Sequence, residues 1–478
     1  MSKLFASANT DNARTWNGMK TNSTSLNPNV DLFFNIGSAR GKFETIAANI
    51  AAGIGADKDR AVRLLLWARD VRGGAGERQT FRDAIKFIAE KEFLTYDEAR
   101  RIMVKVPELG RWDDLKAFVG TGLEDDALEF WATSISSDGL AAKWAPRKGD
   151  IANKLRKTLG LTPKGYRRLV VDNTKVIEQF MCSGNWDEIN FSHVPSLAAA
   201  RYQKAFMRNA EASYNAYIAE LVKPEAERDP NVKINAAAVY PYDIVYSLRT
   251  GNATVASEQW KALPDYMEGS ENSGILPLVD VSGSMGCAAG GQGYGSGNRI
   301  TCMDVAISLG LYVSERNKGI FKDEFITFSS RPKMLSLSGD LKTRHATMER
   351  AEWGMSTNVI AAFDLIINSA IKNNIDQTEM PKVLLILSDM QFNNCASYDD
   401  SAMEAMTRRF HDAGYERPNV VFWNINSSGN GVPSVADRHG TALVSGFSPA
   451  IMTSVIRAET FTPEAIMDET IMSSRYDW

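Results

Sequence analysis

Asp280-Val281-Ser282-Gly283-Ser284 sets one carboxylate and two hydroxyls at alternate positions of a single short stretch. All three are hard oxygen donors, the kind that suit Mg²⁺ or Mn²⁺. The apolar run Ile275-Leu276-Pro277-Leu278-Val279 leads into them and is predicted to be a buried strand. Gly283 permits a sharp turn after it. A second buried strand, Val383-Leu384-Leu385-Ile386-Leu387, ends in Ser388-Asp389, and Ser356-Thr357 precedes a helical pattern over 358–373. Asp280, Ser282, Ser284, Thr357 and Asp389 therefore each fall at a strand or helix end. Open α/β sheets bind ligands beyond the carboxyl ends of their strands. The plainer alternative is an Asx-turn with helix caps in an ordinary doubly wound domain.

The elements that must position these residues divide the chain in two. From residue 274 the pattern alternates. Strands are predicted at 275–281, 323–328, 382–388, 419–425 and 441–444, and helices at 299–318, 358–373, 401–413 and 449–458. Such alternation means a parallel, doubly wound sheet. Residues 31–262 instead carry apolar residues at helical spacing, in short runs broken by Gly73-Gly74-Ala75-Gly76, Pro107 and Pro146. Many short helices with short connections suggest stacked pairs, like a HEAT-type solenoid of degenerate repeats. Residues 1–30, rich in Asn, Ser and Thr, read as an extended N-terminal arm, and 263–273 as a linker. The loop 286–298 holds six glycines, but no Gly-Lys-Ser/Thr follows, so nothing marks it as a nucleotide loop.

At 478 residues the length fits two or three domains. The net charge of −4 hides a division: residues 1–250 carry +5 and the remainder −9. Only the first half is suited to a polyanion. Cys182, Cys287, Cys302 and Cys395 show no Cys-x-x-Cys pairing, which argues against zinc and against a disulfide framework. Cys287 and Cys395 each follow a candidate metal loop and could be close in space, but free thiols in a reducing compartment are the favoured reading. There is no apolar signal core and no run of membrane-spanning length, so a cytoplasmic protein without membrane contact is expected.

The set Asp-x-Ser-x-Ser, Thr357 and Asp389 resembles the metal-ion-dependent adhesion site of the von Willebrand factor A fold. A helical half fused to such a domain resembles the Ro ribonucleoprotein family, whose helical module is called TROVE, and more narrowly a divergent Ro-like branch. Leu32-Phe33-Phe34-Asn35-Ile36-Gly37, the stretch from Arg69 to Arg78, Trp186-Asp187-Glu188-Ile189-Asn190, Val194-Pro195-Ser196 and Pro241-Tyr242-Asp243-Ile244-Val245 carry the narrower likeness. The resemblance implies a HEAT-like helical ring closed by the A domain. It also implies binding of small structured RNA on the outer surface and of single-stranded ends through the central hole. The glycine loop is longer than that pattern has, and the helical half is too divergent to carry RNA contacts over residue by residue.

The residues give a separate pointer. Residues 139–208 hold 13 Lys+Arg against 5 Asp+Glu. The cluster includes Lys143, Arg147, Lys148, Lys154, Arg156, Lys157, Lys164, Arg167, Arg168, Arg201, Lys204 and Arg208, with Trp144, Tyr166 and Tyr202 interleaved as stacking surfaces for unpaired bases. The alternative is solvated helix faces with the aromatics in the core. Arg69, Arg72 and Arg78 flank the glycine turn, where backbone N–H groups could meet a phosphate or Asp70 and Glu77 could pair internally. Trp186-Asp187-Glu188 reads as a helix start that packs Trp186. None of His193, His345, His411 and His439 sits beside a nucleophile in a recognisable motif. The expectation is a non-catalytic RNA-binding protein with a divalent-metal site for a partner ligand. The other reading is a protein-interaction or particle-associated scaffold that uses the metal site without RNA. Monomer is the expected state.

Overall fold

The computed structural model describes residues 13–174, 176–250, 253–270, 274–289, 300–328, 331–350, 358–394, 401–427 and 431–478. It is a mixed α and α/β structure. The sheet has six strands: β3 (Ile275–Asp280), β4 (Glu324–Phe328), β5 (Lys333–Ser336), β6 (Val383–Ser388), β7 (Asn419–Asn424) and β8 (Thr441–Ser445). β1 (Ala13–Arg14) and β2 (Lys20–Thr21) form a separate small hairpin. The large sheet runs β5-β4-β3-β6-β7-β8, parallel except for β5. Every position of β3 and β6 is buried, so both faces of the sheet centre are covered, as parallel pairing requires. Chain order reverses between β3 and β6, which makes their junction the topological switch point.

Helices are numbered in chain order. The first run is α1 (Pro28–Ile36), α2 (Ala47–Ala56), α3 (Lys58–Arg69), α4 (Arg78–Glu90), α5 (Tyr96–Leu109), α6 (Glu124–Ser134) and α7 (Gly139–Trp144). Then come α8 (Asp150–Thr158), α9 (Pro163–Asn173), α10 (Ile177–Ser183), α11 (Ser196–Asn209), α12 (Glu211–Leu221), α13 (Pro241–Thr250) and α14 (Ala253–Lys261). Within the sheet domain lie α15 (Cys302–Arg316), α16 (Leu341–Glu349), α17 (Val359–Lys372), α18 (Ala402–Asp412), α19 (Met452–Arg457) and α20 (Pro463–Ile471). Local chemistry explains several boundaries. Thr95 and Glu98 form a capping box on α5, as do Thr301 and Asp304 on α15. Pro163 and Pro463 open their helices, where a missing N–H costs nothing.

Both ends of the helical half reach the sheet domain. α1 packs on β8, and α13 packs on α15. The last turn of α1 exposes carbonyls that need donors. Ser445 Oγ donates to the Phe33 carbonyl at 2.6 Å and Asn424 Nδ2 to the Phe34 carbonyl at 3.1 Å. A Cβ at Gly37 would sit 2.7 Å from the Ser445 carbonyl oxygen, so only glycine admits this approach. The turn after α3 also meets the segment before α13: Tyr240 donates to the Val71 carbonyl at 3.2 Å, and a Cβ at Gly76 would collide with the Tyr240 hydroxyl. Residues 177–218 build a second, smaller core around Ile189, Phe191, Val194, Phe206 and Tyr214, and Trp186 packs on it.

Residues 13–27 do not hang free as an arm. Thr15 Oγ1 donates to the Phe392 carbonyl at 2.6 Å, and Asn22 exchanges backbone bonds with Val432 at 3.0 and 2.7 Å. Their polar side chains are used as donors to loops that have no strand partner. Other departures have similar causes. β5 is short and largely exposed, so its four residues show no burial pattern. α13 begins at Pro241, after a turn over 235–239 that Asn235 fixes by donating to the Ser192 and Val194 carbonyls. α16 and α20 lie where no helix is predicted. No helix among the described residues is long and apolar enough to cross a membrane.

The C-terminus is locked onto α3. Asp70 is fully buried and accepts from Arg475 Nη2 at 2.7 Å, from Arg475 Nε, from Tyr476 at 3.1 Å and from the Arg72 N–H at 3.0 Å. Burial raises its pKa most, but the hydrogen bonds and charge of Arg475 together with the Arg72 and Gly73 N–H groups outweigh burial and hold it below the usual range. Arg475→Ala strands the carboxylate and is expected to cost about 3 kcal/mol of unfolding free energy, the low end for a broken buried pair because Tyr476 and Arg72 remain. A depressed folded pKa gives stability that is present above the ordinary carboxylate range and lost as pH falls below it. Denaturation curves at neutral and acid pH check both: the variant's deficit should shrink in acid.

Candidate cation site at the sheet switch point

Parallel pairing sets Leu278 beside Ile386 and Val279 beside Leu387, so the two strands end together. Asp280 and Asp389 leave from these adjacent ends, and both are buried. Each oxygen of Asp280 is held. Oδ1 accepts from the Ser282 N–H at 2.9 Å, and Oδ2 accepts from Ser388 Oγ at 2.6 Å. Ser388 Oγ in turn accepts from the Met390 N–H at 3.0 Å. Ser282 Oγ and Ser284 Oγ lie 3.1 Å apart, and Ser284 hydrogen bonds to Asp389. Met285, wholly buried, anchors the turn that carries the two serines. The structure thus brings together Asp280, Ser282, Ser284 and Asp389. Thr357 lies outside the described residues.

Burial, and after it the charge of Asp389, push the Asp280 carboxyl up to about 7. Burial also raises Asp389, with the Gln391 N–H and Ser284 opposing it. Among the described residues neither carboxylate has an ion-pair partner within 4.0 Å; Lys42 acts on Asp389 only through its field. Two buried acids without a counter-ion, facing two hydroxyls, fit a hard divalent cation. They do not fit zinc: among the described residues no three His, Cys, Asp or Glu side chains cluster as a metal centre. If Mg²⁺ binds here, hydroxyls must supply much of its coordination.

The surroundings include residues that the sequence did not flag. Asn17 Nδ2 donates to the Gln391 carbonyl and the Asn394 N–H to the Asn17 carbonyl at 3.1 Å, so residues 13–22 wall the loop after Asp389. Trp16 stands on that wall, 83 % exposed. Lys42 donates to Asn426 Oδ1 at 2.7 Å and to the Ser427 carbonyl at 3.0 Å. No sequence signal marks these, since polar residues whose partners lie hundreds of positions away leave no local pattern. The thiol facing Cys287 is Cys302, with Sγ atoms 3.4 Å apart, and Cys395 lies outside the described residues.

The basic stretch is only partly available. Arg147, Lys148, Lys157, Lys164, Arg167, Arg168, Arg201, Lys204 and Arg208 are exposed on and around α8, α9 and α11. Arg168 pairs with Asp172 at 3.4 Å. Lys154 is held by Glu124 and Asp150, and Arg156 donates to the Leu161 carbonyl at 2.9 Å, so both serve the helix packing. Tyr166 is not a stacking surface. It is 3 % exposed and donates to the Pro146 carbonyl at 3.0 Å, because its place on α9 faces the core. Trp144 is half-buried under Arg111, 4.6 Å from its ring centre. Glu178 accepts from Tyr202 at 3.3 Å and lies 3.9 Å from Lys143, which ties α7, α10 and α11 together. At the glycine turn internal ion pairs prevail: Arg69 with Asp114 at 2.6 Å, Arg40 with Glu77 at 2.6 Å, and Arg475 with Asp70. Arg72 and Arg78 remain exposed.

Two family models match the chain. Residues 275–475 match a domain of unknown function (DUF7788), and residues 161–272 match another (DUF2828). The first covers the sheet and its candidate site; the second covers α9 to α14. An uncharacterized protein of Acanthamoeba polyphaga mimivirus is 28 % identical over 95 % of this chain and 86 % of its own length.

The raised acids give a pH signature. With Asp280 near 7 when folded and near 4 when unfolded, the folded state holds the extra proton between those values. Stability without metal should therefore fall as pH rises from about 4 to about 7. Asp280→Asn should flatten that fall. Mg²⁺ or Mn²⁺ must expel the proton, so affinity should drop below pH 7 by up to about tenfold per unit. Chelator-treated denaturation and Mn²⁺ titration over pH 5–8 measure the two.

Proposed function

We propose that this chain is a non-catalytic RNA-binding protein of the Ro type, with a von Willebrand factor A-like half. That half would hold Mg²⁺ or Mn²⁺ through Asp280, Ser282, Ser284, Asp389 and Thr357. The observation that carries the cation is the pair of buried carboxylates at the switch point, held in orientation yet without a counter-charge. The cation would neutralise them and offer a position to a partner's carboxylate or phosphate. No side chain among the described residues there is arranged as nucleophile with base, so binding, not turnover, is the reading.

RNA is the ligand we assign to the helical half. Its support is the exposed basic set, of which only Arg168 has an acidic partner among the described residues. A ring-like helical half is supported by its contacts: α1 meets β8, α13 meets α15, and Tyr240 meets the turn after α3. A protein-interaction scaffold is the second reading, favoured by the exposed indole of Trp16 beside the loop after Asp389.

The test uses the exposed residues and leaves out Lys154 and Arg156. Changing Arg147, Lys148, Lys164, Arg167 and Arg201 to Glu should weaken RNA binding across sequences. It should also make the salt slope shallower by roughly 0.7 for each phosphate of single-stranded RNA that is no longer neutralised. Mn²⁺ affinity should stay unchanged. Anisotropy titrations over a salt series decide it, and wild-type affinity and slope in the variant would leave the scaffold reading. Nucleic acid that co-purifies and is removed by ribonuclease gives the same discrimination on the native protein.

A further inference from the structure

Cys287 and Cys302 face each other where the chain leaves the serine turn and where α15 begins. Their Sγ atoms lie 3.4 Å apart. Backbone pairing sets that distance: Ala288 and Thr301 form an antiparallel bridge, Cys302 N–H donates to the Cys287 carbonyl at 3.0 Å, and Ala289 N–H donates to the Ile300 carbonyl at 2.9 Å. The cysteines stand one step beyond that bridge, joined by the one backbone hydrogen bond from Cys302, while the Cys287 N–H turns to the Ser284 carbonyl. A bond of about 2.05 Å needs the sulfurs to close by roughly 1.4 Å.

The two thiols differ in what they can do. Cys302 is wholly buried at the first turn of a helix capped by Thr301 and Asp304. Cys287 is exposed, and Asn426 Nδ2 donates to its sulfur at 3.4 Å. The amide cannot be reversed without loss, because Asn426 Oδ1 accepts from Lys42. The approachable sulfur thus has an oriented donor, and the buried one is placed to resolve it. Cys182 is exposed as well, but no thiol faces it among the described residues.

We propose that Cys287 and Cys302 form a reversible redox pair, oxidised by a hydroperoxide to a disulfide that clamps the turn carrying Ser282 and Ser284. Cys287 sulfur, losing its proton, attacks the terminal peroxide oxygen. The O–O bond breaks, the leaving oxygen takes a proton as water or alcohol, and Cys287 becomes a sulfenic acid. Cys302 sulfur then attacks Cys287 sulfur, the S–O bond breaks, and the hydroxyl leaves as water with the Cys302 proton. Two thiols lose two electrons and one hydroperoxide gains them. A dithiol reductant reverses the bond by exchange.

Since Cys302 is fixed, Cys287 makes most of the movement. The Cys287 N–H donates to the Ser284 carbonyl at 3.3 Å, so the shift draws on Ser284. That consequence rests on the cation reading; disulfide formation does not.

The experiment exposes reduced full-length protein to hydrogen peroxide, blocks free thiols and maps the linkage by mass spectrometry without reduction. The expected product is a Cys287–Cys302 cross-link that dithiothreitol reverses. In Cys302→Ser a sulfenic acid should accumulate at Cys287 and be trapped by dimedone, faster than any label at Cys182. Reaction at Cys287 no faster than at Cys182, or pairing of Cys287 with Cys395 or Cys182, overturns the proposal. Mn²⁺ titration then compares the two forms, with several-fold weaker binding expected after oxidation. Equal affinity overturns the clamp's effect on the site, whereas no Mn²⁺ binding in either form overturns the cation reading alone.

Discussion

Two carboxylates buried at one seam set the electrical problem that this molecule has to solve. An ionised carboxylate loses most of its solvation inside a protein, and a second one beside it adds repulsion. Asp280 and Asp389 meet because β3 and β6 pair in parallel and end at the same level. The backbone N–H of Ser282 and the hydroxyl of Ser388 hold Asp280 but do not neutralise it. The remaining solutions are a retained proton or a cation. A retained proton would cancel one of the two charges, whereas a divalent cation would cancel both and leave a coordination position open at the switch point. On the proposed reading the same residues would support both states, with pH and cation concentration selecting between them.

The helical half is built into this arrangement. Ser445 and Asn424, at the ends of β8 and β7, donate to the last carbonyls of α1, so the first helix is completed by the sheet domain. A few residues on, Lys42 reaches Asn426 and the Ser427 carbonyl. Residues 13–22 reach the loop after Asp389 from the other side. The rim of the candidate site is thus assembled from both ends of the sequence. Movement of α1 against β8 would be felt at Lys42, whose field acts on Asp389.

What was legible in the sequence follows the range of the interactions. β3, β6 and β7 read correctly because burial on both faces leaves continuous apolar runs, and Asp280 and Asp389 sit where those runs stop. Ser282 and Ser284 come with the turn. Tyr166 misled because it lies among exposed Arg and Lys in the sequence while its side of α9 faces inward; spacing within the helix, not neighbouring charge, decided its place. Lys154 sits in the same basic run, yet Glu124, far back along the chain, takes its charge. Cys302 was hidden by the fold-back at Ala288 and Thr301, a bridge that no residue pattern announces. The hairpin at 13–22 has no apolar periodicity at all, because its fixation is made of hydrogen bonds to loops.

The division of charge limits how one ligand can use both halves. Residues 251–478 carry a net −9, so a polyanion gains nothing from that half at long range. Attraction between exposed charges fades over about 8 Å at physiological ionic strength, so the basic surface of α8, α9 and α11 acts on a ligand mainly where the ligand lies against it. An RNA held on that surface meets the sheet domain favourably only where a local positive charge interrupts the acidic background. Lys42 is such a place, and a cation at Asp280 and Asp389 would cancel their charge and leave a position for a phosphate oxygen. A partner protein faces the opposite balance: its own basic groups suit the acidic half, while a single carboxylate suits the cation. On the proposed reading the same site would accept either ligand, and the surrounding charge, more than the coordination itself, would discriminate between them.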